Sequence, residues 1–274
     1  MLLLLAVVLL SSAVHADNQS SLEVSFANYG WEQVEFDRSL SLASFQWRLG
    51  HQWQGRRDTL AAAFSYKRIR LQEEDAGLFD IHFSSSDGSI YHHAFYSGSF
   101  EARWTRRLNR SWAITLLLMP GITAEDSADE NRYPLWGEFL VSHKGLGLGV
   151  GRLEVSGRLR WWPLVSVRHQ WRGIRFEGLF PHYGYVQRGP LKLSARLEGA
   201  TYLVEDDWDT FQPLYFSHLD LAAALVVSEK GLEIAFEIGR TVHRRFKVAT
   251  LGYQYQSIDD GWYIRTSLRY PPYY

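Results

Sequence analysis

The sequence predicts an all-β chain, a transmembrane antiparallel β-barrel of about 14 strands with about 12 as the alternative, following a cleaved signal peptide. Three observations predict it. Residues 216–246 hold two long runs in which every second residue is apolar, joined across a turn at Ser228-Glu229-Lys230-Gly231. Aromatic residues make up 15% of the chain, with 11 Trp and 15 Tyr, enough for two girdles at the membrane interfaces. The N-terminus carries an apolar run, Leu2 to Leu10, that is too short to cross a bilayer as a helix.

In the hairpin, Leu219, Leu221, Ala223, Leu225 and Val227 alternate with Asp220, Ala222, Ala224, Val226 and Ser228. Leu232, Ile234, Phe236 and Ile238 then alternate with Glu233, Ala235, Glu237 and Gly239. A period of two puts the two sets on opposite faces of a strand. A barrel strand needs about 9–11 residues to cross, longer than the usual strand of about 5–6. One face suits lipid and the other, with Asp220, Glu233 and Glu237, suits a polar lumen.

Residues 1–16 read as a secretory signal peptide with small residues at Val14-His15-Ala16, although no Lys or Arg precedes the apolar run. Residues 17–274 are the expected barrel. Its first strand alternates through Leu22, Val24 and Phe26 and ends near Gly30. The second, residues 39–50, shows Ala43, Phe45, Trp47 and Leu49 on one face, and Leu60, Ala62, Phe64 and Tyr66 follow a turn at Gly55. Residues 71–98 are polar and predict a long external loop containing His92-His93. Phe100, Ala102 and Trp104, then Trp112, Ile114, Leu116 and Leu118, form a pair around Asn109-Arg110. Acidic residues 123–131 predict a second loop, before Leu135, Gly137, Phe139 and Val141.

Gly145, Gly147, Gly149 and Gly151 keep period two, which excludes a dinucleotide loop and predicts close approach to one strand face. Leu159, Trp161, Val165 and Val167 follow, with a bulge expected at Pro163. Residues 174–187 and Leu191, Leu193, Ala195 and Leu197 give three further short strands. A third acidic loop lies at 205–214, and Trp262, Ile264, Leu268 and Tyr270 close the chain. Tight turns at Gly55, Asn109, Lys144, Gly189 and Lys230 then fall on one side and the long loops on the other, the asymmetry expected of such barrels.

Mean hydropathy is -0.23, as expected when alternate residues face a lumen; a soluble aromatic-rich sandwich is the fold-level alternative. Formal net charge is -1, which gives no case for nucleic acid. The absence of cysteine excludes a disulfide framework and a thiolate nucleophile. No Gly-x-Ser-x-Gly, His-Glu-x-x-His or Walker pattern occurs, so no catalytic residue, metal or cofactor is expected. His92-His93 with Asp80 or Asp87 makes a poor metal pair, because neighbours on an extended chain point apart.

The last strand, with Trp262, Ile264, Leu268 and Tyr270, resembles the terminal strand of bacterial outer-membrane β-barrels, departing in its tail Pro271-Pro272-Tyr273-Tyr274. The pieces LFPHYGYV, LEGATYLV and LEIAFEIGRTVHRRF within residues 179–246 are similar to an outer-membrane barrel family of unassigned function. The resemblance implies fold and location in a bacterial outer membrane, with lipid, lipopolysaccharide and the barrel assembly machinery as partners. It implies no activity.

The candidate lumen residues are Arg103, Arg160, Arg168, Glu177, Lys192, Arg196, Glu198, Glu233 and Glu237, with Glu101 and Arg158 on the same face. They predict either a charged, water-filled pore or a lumen plugged by its own ion pairs. Of the 29 Lys and Arg only 5 are Lys, and Arg suits both a packed network and lipopolysaccharide phosphates. Trp47, Trp104, Trp112, Trp136, Trp262 and Tyr270 are the candidate interface aromatics. The expected function is a non-enzymatic, transport-related barrel for small polar solutes. A structural or surface-interaction barrel with a closed lumen and an outer-membrane lipid hydrolase are the alternatives.

Overall fold

The computed structural model describes residues 18–34, 38–74, 90–125, 132–155, 158–205, 211–248, 256–258 and 260–270. The expected signal peptide, the tail after Tyr270, and Asp80 and Asp87 lie outside them. The described chain is all strand: β1 (Asn18–Val34), β2 (Arg38–Gln54), β3 (Asp58–Glu74), β4 (Ile90–Arg107), β5 (Trp112–Glu125), β6 (Leu135–His143), β7 (Leu146–Val155), β8 (Arg158–Trp171), β9 (Ile174–Phe180), β10 (Tyr183–Arg188), β11 (Leu191–Glu205), β12 (Phe211–Glu229), β13 (Leu232–Val248), β14 (Gln256–Ile258) and β15 (Gly261–Tyr270).

From β1 to β13 each strand pairs antiparallel with the next. The short β14 and β15 share one position between β13 and β1. Leu22 of β1 meets Tyr270, Asn28 meets Ile264, and Val34 meets Ile258, which closes the sheet. The barrel therefore has 14 staves, the expected number, and its first and last strands pair so that the sheet closes on itself.

Alternation decides the faces. Leu118, Leu193, Ile238 and Trp262 point out and are 56–66% exposed, while Ala27, Tyr29, Ala224 and Tyr263 point in and are buried. Three short turns at Lys144-Gly145, Arg172-Gly173 and Lys230-Gly231 have positive φ at both residues. That is the two-residue turn whose twist matches paired strands, and glycine takes its second position without steric cost. These turns lie at the same end of the barrel as Asn18 and Tyr270, the first and last described residues.

Several boundaries differ from the sequence reading. β3 continues to Glu74 and β4 starts at Ile90, so His92 and His93 lie in a strand opposite Gln72 and Leu71, not in a loop. β1 likewise continues past Gly30 to Val34, β5 reaches Glu125, and β12 begins at Phe211. The bulge expected at Pro163 is absent: Pro163 pairs in register with Val150. It sits past the last β8–β9 pair, Val165 with Phe180, where the strand has one neighbour only and a residue lacking an N–H is tolerated. The register shifts lie instead between Asn28 and Trp31 and between Ser217 and Leu219.

The wall is uneven. β9 and β10 have 7 and 6 residues, whereas β1 and β13 have 17. The last contact of β11 with the β9–β10 hairpin is Leu197 N–H donating to the His182 carbonyl at 2.8 Å. Beyond it, β5 approaches from across the barrel, and Thr123 Oγ1 donates to the Thr201 carbonyl at 2.8 Å. Phe95 of β4 packs on Tyr202 of β11 with ring centroids 4.9 Å apart. The long staves thus close on one another above the short ones and narrow the lumen.

Candidate functional site in the barrel lumen

The inward row of β15 is Tyr263, Arg265, Ser267 and Arg269, because Trp262, Ile264 and Leu268 take the outward one. On β13 the inward row includes Glu233, Glu237 and Gly239, and the register sets Glu237 beside Arg265 and Glu233 beside Arg269. Gly239 faces Tyr263; a Cβ there would lie 2.5 Å from the Tyr263 ring, so the missing side chain lets the ring lie flat on the wall. β12 contributes His218 and Asp220, β11 contributes Arg196 and Glu198, and β1 contributes Tyr29.

Arg265 is the hub. Its guanidinium donates to Tyr29 Oη at 2.8 Å, Asp220 Oδ2 at 3.0 Å and Glu198 Oε1 at 3.2 Å, and lies 3.6 Å from Glu237 Oε1. Tyr263 Oη donates to Glu237 at 2.8 Å, and Arg196 pairs with the same carboxylate. From β3, Lys67 Nζ reaches Glu198 Oε2 at 2.5 Å. β3 and β11 are far apart in the strand order, so this bond spans the lumen. Asp220 and His218 are 1% and 3% exposed. Moving charges this far from water costs several kcal/mol per ion, and only the mutual pairing offsets it.

Glu198, His218 and Asp220 bring three ligand atoms within 4.8 Å of one another, the spacing of a metal site. The charge count argues against that use. Among the described residues of the cluster, Glu198, Asp220 and Glu237 already face Arg265, Arg196 and Lys67, and Arg244 lies over the Tyr29 ring. A metal ion would add positive charge where the carboxylates already have cationic partners. His218 sits between the Phe216 and Tyr29 rings, with Nε2 3.4 Å from Asp220 Oδ1.

Smaller clusters line the lumen toward the short-turn end. Glu177 accepts from Arg175 at 2.8 Å and Tyr185 at 3.0 Å, with Arg168 at 3.6 Å. Lys192 stands 4.4 Å from the Tyr185 ring centre. Glu101 bridges Arg48 and Arg103 at 2.8 and 3.0 Å, and Arg269 touches Glu23 and Glu233. Arg103 and Arg168 remain 48% and 74% exposed, so this half of the lumen is open to solvent.

The candidate residues Arg103, Arg168, Glu177, Lys192, Arg196, Glu198, Glu233 and Glu237 all stand on the inward row. Arg160 shares that row by alternation with Trp161 and is exposed. Tyr29, Lys67, His218, Tyr263 and Arg265 were not expected there; their inward parity was readable, but which strands face each other across a closed lumen was not. Of the aromatics, Trp104, Trp112, Trp262 and Tyr270 point outward near strand ends. Trp104 Nε1 donates to Asp58 at 3.2 Å, and Trp112 stacks on His143. Trp47 points outward further up the wall, against Phe64 and Tyr66. Trp136 is a correction: it stands opposite Met119 on the inward row, with Nε1 shut off from solvent, because Gly137 takes the outward position beside Leu118.

No protein-family model and no curated protein matches the chain. Among solved structures it is similar to the "TodX deltaS2S3 mutant monoaromatic hydrocarbon channel", with a TM-score of 0.51 and 9% identity over 96% of this chain and 92% of that one. It is also similar to the translocator domain of autotransporter NalP from Neisseria meningitidis, with a TM-score of 0.38 and 13% identity over 98% and 94% of the two chains. At such identities the likeness is one of fold. Closed, 14-staved and apolar on its outer face, the chain has the fold of the bacterial outer-membrane β-barrels.

Proposed function

We propose that the protein is a non-enzymatic, transport-related barrel whose passage for small polar solutes is held shut by its own charged network. The observation that carries the reading is the Lys67–Glu198–Arg265–Asp220 chain of contacts, which ties β3 to β11, β12 and β15 across the lumen. The exposed Arg103 and Arg168 below it favour a hydrated vestibule leading to that barrier. A lumen that only had to be filled would be at least as stable with apolar side chains of similar volume. Retention of buried ions on several staves favours a barrier that rearranges.

The second reading is a permanently closed barrel that acts through its surface. It is favoured by the contacts of Thr123 with Thr201 and Phe95 with Tyr202, which are uncharged. Conductance in planar bilayers separates the two. The unaltered protein is expected to be mostly silent, and Arg265→Ala combined with Lys67→Ala to give discrete current steps. A folded, heat-modifiable double variant that stays silent would overturn the gated passage in favour of the closed barrel.

A further inference from the structure

Charge on the outward face of the wall stands out against its apolar rows. Arg68 and Arg70 of β3 lie on the same outward row as Leu60 and Phe64, toward the long-loop end. Directly opposite Arg68 are Phe45 and Tyr96; opposite Arg70 are Ala43 and Ala94. The next pairs down, Trp47 and Gly98 beside Tyr66, are also uncharged. None of these neighbours offers a carboxylate. The Arg68 guanidinium carbon lies 5.2 Å from the Tyr96 ring centre, and its Nε is closed off from solvent with no hydrogen-bond partner. On the inner face, by contrast, Arg265, Arg196 and Lys67 each meet a carboxylate.

Height decides what these arginines meet. Ten residues separate Asp58, at the short-turn end, from Arg68. At about 3.4 Å per residue and a tilt near 40° that is roughly 26 Å, and the apolar band is about 25 Å tall. The pair therefore sits at the level of the outer headgroups. Two other outward arginines repeat the arrangement on other staves, each directly opposite an aromatic: Arg152 with Trp161 and Arg240 with Trp262. Arg240 differs in having Asp260 at 3.8 Å. Trp and Tyr settle at the headgroup level, so a ring beside an outward guanidinium is in keeping with an interfacial place.

We propose that Arg68 and Arg70 form a binding site for the phosphate groups of a phosphorylated lipid of the outer leaflet. Same-face neighbours on a strand are about 7 Å apart, so two guanidinium forks present donors to one lipid headgroup. Phe64 and Trp47 below them, with Phe45 beside Arg68, offer apolar surface to its acyl chains. A guanidinium suits this place better than an ammonium because it is more weakly hydrated and stacks on an aromatic face.

The test uses the full chain folded in maltoside micelles, which contain no phosphate. The reading is the temperature at which the compact form on a gel converts to the extended one. Phosphorylated diglucosamine lipid is expected to raise it; the same lipid stripped of phosphate, and inorganic pyrophosphate, are expected not to. Arg68→Gln with Arg70→Gln should abolish the rise. An equal rise with the dephosphorylated lipid would show acyl contact only, and a rise with pyrophosphate alone would show a free-anion site; either overturns the proposal, as does a full rise in the double variant. Should that variant fail to assemble, Arg70→Gln alone is measured, where a diminished rise supports the site and an undiminished one overturns it.

Discussion

Arg265 touches three carboxylates and a phenol and is 8% exposed, so its removal strands charge and does not merely lose contacts. Arg265→Met should cost about 3–5 kcal/mol, the usual cost of breaking a buried ion pair by deleting one partner. Urea unfolding of the barrel in lipid vesicles would read this as a lower midpoint. Replacing Arg265, Glu198, Asp220 and Lys67 together by apolar residues should recover most of that loss. At this scale the sequence was informative about direction and silent about partners. Alternation placed Glu198, Arg196 and Glu237 on the inner row, but the bond from Lys67 to Glu198, 131 positions apart, depends on how the chain between them winds round the barrel. Trp136 misled because an aromatic near a strand end fits either face, and only its neighbour Gly137 decides.

Elements were legible where lipid or a filled lumen imposes alternation. The β12–β13 hairpin has the two faces that its sequence shows, and its turn narrows to Lys230-Gly231. Where a strand rises beyond the apolar band both faces meet water, alternation fades, and residues 71–74 and 90–98 read as loop although they pair. Lipid-face and lumen-face positions should therefore respond differently to charge. Phe236→Arg, near mid-band, should cost about 2–4 kcal/mol in vesicle unfolding, while Gln187→Glu on the inner row, directly between Arg175 and Lys192, should cost no more than about 0.5 kcal/mol. The β7 glycines make a stricter demand. A Cβ on Gly149 would fall 1.9 Å from the Phe139 carbonyl oxygen, which is backbone and cannot step aside. Gly149→Val is expected to lower the fraction of protein that reaches the compact, heat-modifiable form on a gel.

For the whole molecule, closure and narrowing are separate properties with separate tests. Closure rests on β1 meeting β14 and β15, and an unboiled sample should migrate differently from a boiled one. Narrowing rests on β5 and β4 reaching β11. Thr123→Val removes the donor to the Thr201 carbonyl, and should cost about 1–3 kcal/mol while leaving the gel shift intact. Fourteen staves could be counted from the alternating runs, because each crossing repeats the same constraint. The pinch could not, since it brings β4 and β5 against β11, a stave far from them in the chain.

The 17-residue staves carry one further consequence. At about 3.4 Å per residue and a tilt near 40°, they give roughly 44 Å of wall, some 19 Å more than an apolar band of about 25 Å can cover. By the usual asymmetry of such barrels that surplus stands on the cell's outer side, as a collar of hydrogen-bonded sheet within the sugar layer. An antibody or phage that bound to this collar would meet a fixed relief of paired strands. Variation in the loops would leave that relief in place.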